Sequence, residues 1–450
     1  MQQQTLALGL KLTGSILVLA LTGATRPVEG AQGNAGARAG DPTALHAAID
    51  AAAAAILPKV IAWRRDFHEH PELGNREFRT AKVVADELRA LGLEVKTGVA
   101  KTGVVGLLRG GKPGPVVALR SDMDGLPVTE EVDLPFKSKA TAEWAEQKTG
   151  VMHACGHDNH LAILLGTAHV LSGLKPQIAG SVKFIFQPAE EGAPPGEEGG
   201  AELMIAEGVL SEPKVDAIFG LHVFPFETGT LAWRSRGIMA AADNIDIVVT
   251  GRQTHGAQPW AGVDPIVVSS QIVLGLQTLV SRQVDLTLAP AIVTIGAMNG
   301  GNRRNIIPNE VKLSGTLRTY DKGMRDILIQ RIERTVTLIA QSAGATATVA
   351  FGQGLPVTYN DPALTAKMEA TLRRVGGDKI LPDVPPTTTS EDFSFFQEKT
   401  PGIFFFLGVT PKGTPAGDIY ANHSPRFFAD EGALITGVRA LANLAVDYLR

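Results

Sequence analysis

One cysteine, Cys155, is all the chain has, so no disulfide can be closed within it. Long basic runs are missing, and 42 Lys and Arg against 46 Asp and Glu leave a formal net charge of −4, which argues against a nucleic-acid partner. Charge is modest at 20% and hydrophobic residues reach 44%, which excludes wholesale disorder. There is no Walker A loop, no G-x-S-x-G elbow and no H-E-x-x-H. The nearest approach to the last, His68-Glu69-His70-Pro71-Glu72, puts its second histidine at the wrong spacing for that zinc motif.

What is present is long and rich in glycine. A chain of 450 residues exceeds one ordinary core and predicts two domains, and 49 glycines predict many tight turns. Lys11 followed by the apolar run Leu12 to Ala24 is too short to span a bilayer and suits the core of a signal peptide, with residues 1–24 removed. Residues 25–41 read as a flexible leader. These features predict export to a periplasm or beyond, with no stable membrane insertion after cleavage. A thiol in such an oxidising compartment needs protection, which a metal ion would supply.

The remainder reads as α/β. A helical pattern runs from Pro42 to about Leu91, and short apolar strands follow at Gly103–Leu108, Val116–Arg120, Val182–Gln187 and Ala217–Val223, with a helix at Leu161–Leu171 between the second and third. The character then changes. Strand Asn244–Gly251, a helix near Pro265–Val280, strands Ala291–Ala297 and Glu310–Tyr320, a helix from Gly323 to about Ala343 and strand Ala345–Gly352 give a β-α-β-β-α-β order, the ferredoxin-like plan. A strand at Ile403–Val409 and a last helix near Ala429–Leu449 return to α/β. The expectation is a mixed sheet covered by helices, built from residues 42–237 and 354–450, with a ferredoxin-like α+β domain inserted at 238–353.

Chemistry-bearing side chains fall at the ends of predicted strands, where sites form in open α/β sheets. Asp122 and Asp124 follow Val116–Arg120, and alternation directs both carboxylates to one side. Met152–His160 (MHACGHDNH) opens a helix and sets Cys155 two residues from His157 in a glycine-containing loop. Asp158 there can cap the helix or orient a ligand histidine. Gln187-Pro188-Ala189-Glu190-Glu191-Gly192 ends another strand; adjacent glutamates cannot face the same way in extended backbone, so one can bind metal while the other acts as a base. His222 lies near the end of Ala217–Val223, and His423 sits in Asn422-His423-Ser424 before the last helix. One thiolate, three imidazoles and several carboxylates are the inventory of a two-metal site, and the thiolate favours zinc, with manganese, cobalt or nickel as alternatives. A cysteine nucleophile with a histidine base is the rival reading.

The pieces RRDFHEHPELGNREFRTA, LRSDMDGLP, GVMHACGHDNH, QPAEEG, GLHV, GRQTHGAQPWAGVDP, NIIPNEVKLSGTLRT, TSEDFSFF and NHSPRF, in that order, cover nearly all of residues 60–430. In these the sequence resembles the aminoacylase, hippurate hydrolase and auxin-conjugate (IAA-amino acid) amidohydrolase family, dinuclear enzymes of the aminoacylase and carboxypeptidase type of metallopeptidase. The resemblance implies a metallopeptidase-type catalytic domain with an inserted lid and dimerisation domain. It implies two divalent ions on Cys155, His157, Glu191, His222 and His423, with Cys155 bridging and Glu190 as general base. Asp124 takes the place of the supporting aspartate. His255 is implied to stabilise the oxyanion, supplied by the partner subunit in related dimers, which makes a homodimer through the inserted domain the expected assembly. Asn305 and Arg318 are implied substrate contacts. The implied reaction cleaves an N-acyl or aroyl amino acid, or a short peptide, to an acid and an amino acid.

Three departures bear on specificity: Pro259-Trp260 where the family commonly has Pro-His, a longer and more acidic loop at 192–200, and a long stretch before Gly150 (SKATAEWAEQKT). An exopeptidase or dipeptidase on the same site, a metal-independent cysteine hydrolase using Cys155 and His157, and a non-catalytic binding protein are the competing functions. The last two leave Glu190 or several of the ligands without a role.

Overall fold

Strands in which almost every position is apolar belong in the middle of a sheet covered on both faces. The computed structural model describes residues 42–352 and 354–450 and contains such a sheet; the signal and leader assignments, 1–24 and 25–41, lie outside the described residues. Its eight strands are ordered Glu94–Val99, Gly103–Arg109, Ala179–Gln187, Lys112–Asp122, Ala217–Glu227, Gly402–Thr410, Leu231–Trp233 and Ile380–Pro382. The four strands from Ala179–Gln187 through Gly402–Thr410 are mutually parallel, while the first two pair antiparallel. The sheet is therefore mixed, as expected.

Period-two alternation sends neighbouring residues to opposite faces. Val117, Leu119, Phe184, Phe186, Phe219, Leu221 and Phe405 join one core with the helices Pro42–Glu69, His157–Gly173 and Leu434–Tyr448. Ala118, Ile185, Ile218, Phe404 and Phe406 join another with Met204, Phe393 and Phe396. The first helix is long and apolar enough to cross a membrane by composition, yet Ile49, Val60 and Phe67 on it are fully buried in the core.

The single helical pattern read from Pro42 to Leu91 is in fact two helices, Pro42–Glu69 and Phe78–Ala90. Pro71, which lacks an N–H, and Gly74 interrupt it. The Glu72 carboxylate then accepts the backbone N–H groups of Arg79 at 3.0 Å and Thr80 at 2.8 Å, which starts the second helix. A further helix, Pro362–Gly376, lies outside the elements expected from the sequence.

The second sheet orders Ala291–Gly300, Glu310–Thr319, Ala241–Thr250 and Thr346–Phe351, all antiparallel. Numbered within this segment that is 2-3-1-4, the ferredoxin-like arrangement. Helices Pro265–Gln283 and Lys322–Ser342 close one face over a separate core that includes Ile245, Ile247, Ile272, Leu276, Leu313, Leu328 and Ile332. The strands Arg236–Met239 and Thr358–Asn360, through which the chain enters and leaves this unit, pair antiparallel.

Candidate metal centre

Four parallel strands present their carboxyl ends on one edge of the large sheet, and the candidate residues gather there. Lys112–Asp122 ends beside Ala179–Gln187 with Asp122 opposite Gln187. On its other side Ala217–Glu227 carries His222 opposite Phe406 of the neighbouring strand. The helix His157–Gly173 starts above them at Gly156, whose φ of +90° suits glycine and where a Cβ would lie 2.3 Å from Val223 Cγ2.

Cys155 Sγ lies 3.3 Å from His222 Nε2 and 3.3 Å from His423 Nε2. Two triads of potential ligand atoms share this sulfur, Cys155 with His157 and His222, and Cys155 with Glu191 and His423; within each, the atoms lie within 4.8 Å of one another. His423 Nε2 and Glu191 Oε1 are 2.9 Å apart. The His423 backbone is held at a φ of +70°, while its N–H donates to Ala154 O at 2.8 Å and Asn422 Nδ2 donates to Cys155 O at 3.0 Å. Loop and thiol are thereby tied together.

The donor set fits divalent ions. His157 Nδ1 donates to Asp124 O at 2.8 Å and His222 Nδ1 donates to Val223 O at 2.7 Å, so each ring turns its Nε2 to the centre. His157 Nε2 is buried without a hydrogen bond, a costly state for a polar atom unless something else coordinates it. Electrostatics agrees. Burial, then the Asp122 and Asp124 carboxylates, act oppositely on His157, and the carboxylates win, lifting it to about 10. Burial, then Glu191 and Glu190, push the Cys155 thiol well above its ordinary value. A nucleophilic cysteine needs the reverse, an environment that favours thiolate. This one favours thiolate only with added positive charge, which weighs against the metal-independent cysteine hydrolase.

Glu190 Oε2 stands 3.7 Å from His157 Nε2 and groups with the buried carboxylates of Glu391 and Asp392. Burial and then Glu391 raise its carboxyl well above the usual range. Asp124 braces the centre from two sides: its carbonyl oxygen receives His157 Nδ1, and its Oδ2 accepts the Glu191 N–H at 3.0 Å. Arg318, at the end of Glu310–Thr319, donates to Ser390 Oγ at 3.2 Å. It lines a cavity of about 470 Å³ together with Cys155, Glu190, Glu191, His222 and His423.

Two residues stand elsewhere. His255 and Asn305 are both exposed, on loops of the second sheet that pair through Thr254–His255 and Ile306–Ile307. Asn305 O accepts the Gly256 N–H at 2.9 Å. Neither lines the cavity. Trp260, on the adjoining turn, is 79% exposed.

Sequence reasoning missed a buried layer beneath the centre. Arg120 pairs with Asp122 at 2.7 Å, Glu391 at 2.9 Å and Asp392 at 3.0 Å. Asp122 Oδ1 receives His160 Nδ1 at 2.6 Å, and His160 Nε2 accepts the Val223 N–H at 2.8 Å. Both His160 nitrogens are thus occupied, which makes it a support rather than a ligand. The His157 and His160 spacing, three apart on one helix face, was the available signal. Asp158, predicted to cap or orient, instead binds Arg64 Nε and His68 Nδ1, each at 2.9 Å, and His68 Nε2 meets Glu130 at 3.1 Å.

A thiol, imidazoles and carboxylates converging on parallel strand ends define a metal-dependent hydrolase site on an α/β scaffold. A model of peptidase family M20/M25/M40 matches residues 118–447. The chain is 42% identical to Thermostable carboxypeptidase 1 of Saccharolobus solfataricus, over 86% of this chain and 95% of that one. It is 38% identical to the IAA-amino acid hydrolase ILR1-like 2 of Arabidopsis thaliana, over 87% of each. The crystal structure of the Bacillus subtilis YXEP protein, a dinuclear metal binding peptidase from the M20 family, superposes with a TM-score of 0.73 at 34% identity, covering 88% of this chain and 99% of that one. The chain belongs to peptidase family M20/M25/M40.

Proposed function

We propose that this chain is a dinuclear metal-dependent amidohydrolase that cleaves N-acyl or aroyl amino acids to a carboxylic acid and an amino acid. The observation that carries this reading is Cys155, one sulfur common to two triads of ligand atoms, with the Glu190 carboxylate 3.7 Å from His157 Nε2. One triad would hold an ion through Cys155, His157 and His222, the other through Cys155, Glu191 and His423. The thiolate favours zinc over magnesium or calcium; manganese, cobalt and nickel remain compatible with the imidazoles. When bound, the pair of ions lowers the pKa of water and polarises the amide carbonyl.

The chain's own groups do the rest. Glu190 takes a proton from the attacking water as its oxygen bonds to the carbonyl carbon, then delivers it to the amide nitrogen as the C–N bond breaks. Arg318 holds the free carboxylate of the amino-acid half and so sets the carbonyl near Glu190. His255 donates to the oxyanion. Its exposure and its separation from the cavity of its own chain support delivery from a second copy, with Asn305 alongside, in a dimer formed through the inserted domain. Lys11 and the apolar run after it support export to a periplasm or secretion.

A panel of acylated amino acids beside free dipeptides tests the substrate. Hydrolysis of the acylated set is the expected result; turnover of dipeptides alone would assign the chain to the exopeptidases.

A further inference from the structure

The segment between the first two helices, Pro71 to Glu77, supplies no ligand, yet it packs against the turn that carries Glu190 and Glu191. A Cβ placed on Gly74 would lie 2.9 Å from Gly192 O and 3.2 Å from Ala189 Cβ, so the two loops are in backbone contact. Ala189 has a φ of +50°. That is the left-handed region, which a residue with a Cβ adopts only when its surroundings hold it there.

The holding group is visible. The buried Ala189 N–H donates to Glu77 Oε1 at 2.8 Å, and Glu77 Oε2 accepts the Thr102 hydroxyl at 2.6 Å. Glu77 is 0% exposed. Two residues further on, the Glu191 N–H donates to Asp124 Oδ2 at 3.0 Å. The N–H groups on either side of Glu190 are therefore each gripped by a carboxylate from a different part of the chain. Glu77 spends its two oxygens on a backbone amide and a hydroxyl, an arrangement that fixes backbone geometry.

We propose that Glu77 is a positioning residue: by gripping Ala189 in its left-handed conformation it aims the Glu190 carboxylate. The inference rests on the reading of Glu190 as the proton carrier. Burial, and then Asp124, raise the Glu77 carboxyl to about 7, so a neutral isostere suits the site. Glu77→Gln keeps an oxygen for the Ala189 N–H and an amide for the Thr102 hydroxyl. Glu77→Leu keeps neither.

Two readouts test this. In metal-free protein, amide hydrogen exchange of the peptide containing Ala189 should quicken in Glu77→Leu and stay native in Glu77→Gln. In metal-loaded enzyme, kcat of Glu77→Leu should fall by about 10- to 100-fold, the scale of losing a supporting partner at a metal site, with KM and metal content unmoved. Glu77→Gln should keep native kcat. If Glu77→Leu does not fold, Thr102→Val, which frees the other Glu77 oxygen, should give the same pattern at smaller amplitude. Native exchange or native kcat in a folded Glu77→Leu overturns the proposal, as does native behaviour of Thr102→Val where the leucine variant fails to fold, or an equal loss in Glu77→Gln. Native turnover in Glu190→Gln overturns the proton-carrier reading instead, and leaves the exchange result standing.

Discussion

The two halves of the candidate machinery are built differently. The cluster around Cys155 is buried at Cys155, His157 and His222 and opens at the exposed His423; it comes from the carboxyl ends of three parallel strands, a helix start and the loop that carries His423. Its side chains are aimed by backbone hydrogen bonds and by the Arg120 layer. The His255 and Asn305 pair is exposed on short loops of a separate sheet, where His255 Nδ1 accepts the local N–H of Ala257 at 3.0 Å. On the proposed reading, the groups that hold charge in place are fixed by the fold, whereas the groups that would meet a transient charge stand on exposed loops.

The sharpest way to break this contrast is at Glu190. Glu190→Gln should lower kcat by about 100- to 10,000-fold, the range for a lost general acid-base group, with metal content and melting temperature near native. Steady-state kinetics beside metal analysis decides it; loss of metal in this variant, with retention in Glu191→Gln, would exchange the roles of the two glutamates. Glu191→Gln and His423→Ala should lose metal and activity together, and acid should strip metal from the native chain, because ligands must be deprotonated to bind.

His255→Ala sharpens the other half. Its kcat should drop by about 100-fold or more, the usual loss for one oxyanion donor, with metal unchanged. Mixing inactive Glu190→Gln and His255→Ala chains should restore activity if the histidine crosses a dimer, since one mixed site then has both groups. Heterodimers that form and stay inactive would confine His255 to its own chain. Smaller still is Trp260→Ala. At 79% exposure the change should alter stability by no more than about 0.5 kcal/mol, measured by denaturant unfolding. Any effect should appear in the substrate profile.

The same contrast explains what was legible in the sequence. The strand ends were readable because apolar runs mark parallel strands and the chemistry falls near their carboxyl ends, as at Asp122 and Glu190, or within the strand, as at His222. The ferredoxin-like order was readable from alternation, since Ala241–Thr250 buries every second residue. The break at residues 70–77 was obscured by helical periodicity on both sides. The Arg120, Asp122, His160, Glu391 and Asp392 network was hidden for a different reason. Glu391 and Asp392 pair with Arg120 across as many as 272 positions, and local pattern carries no trace of those two contacts. Glu77 was hidden likewise, 112 residues from the N–H it grips.

On the proposed reading, one sulfur and two ligand triads hold a pair of ions on which amide hydrolysis depends. The most direct test is turnover of an N-acyl amino acid by chain freed of metal and then reloaded, with ions counted at each stage. Turnover should vanish without metal and return with zinc, manganese or cobalt, with about two ions per chain at full activity. Full activity in verified metal-free protein would contradict it.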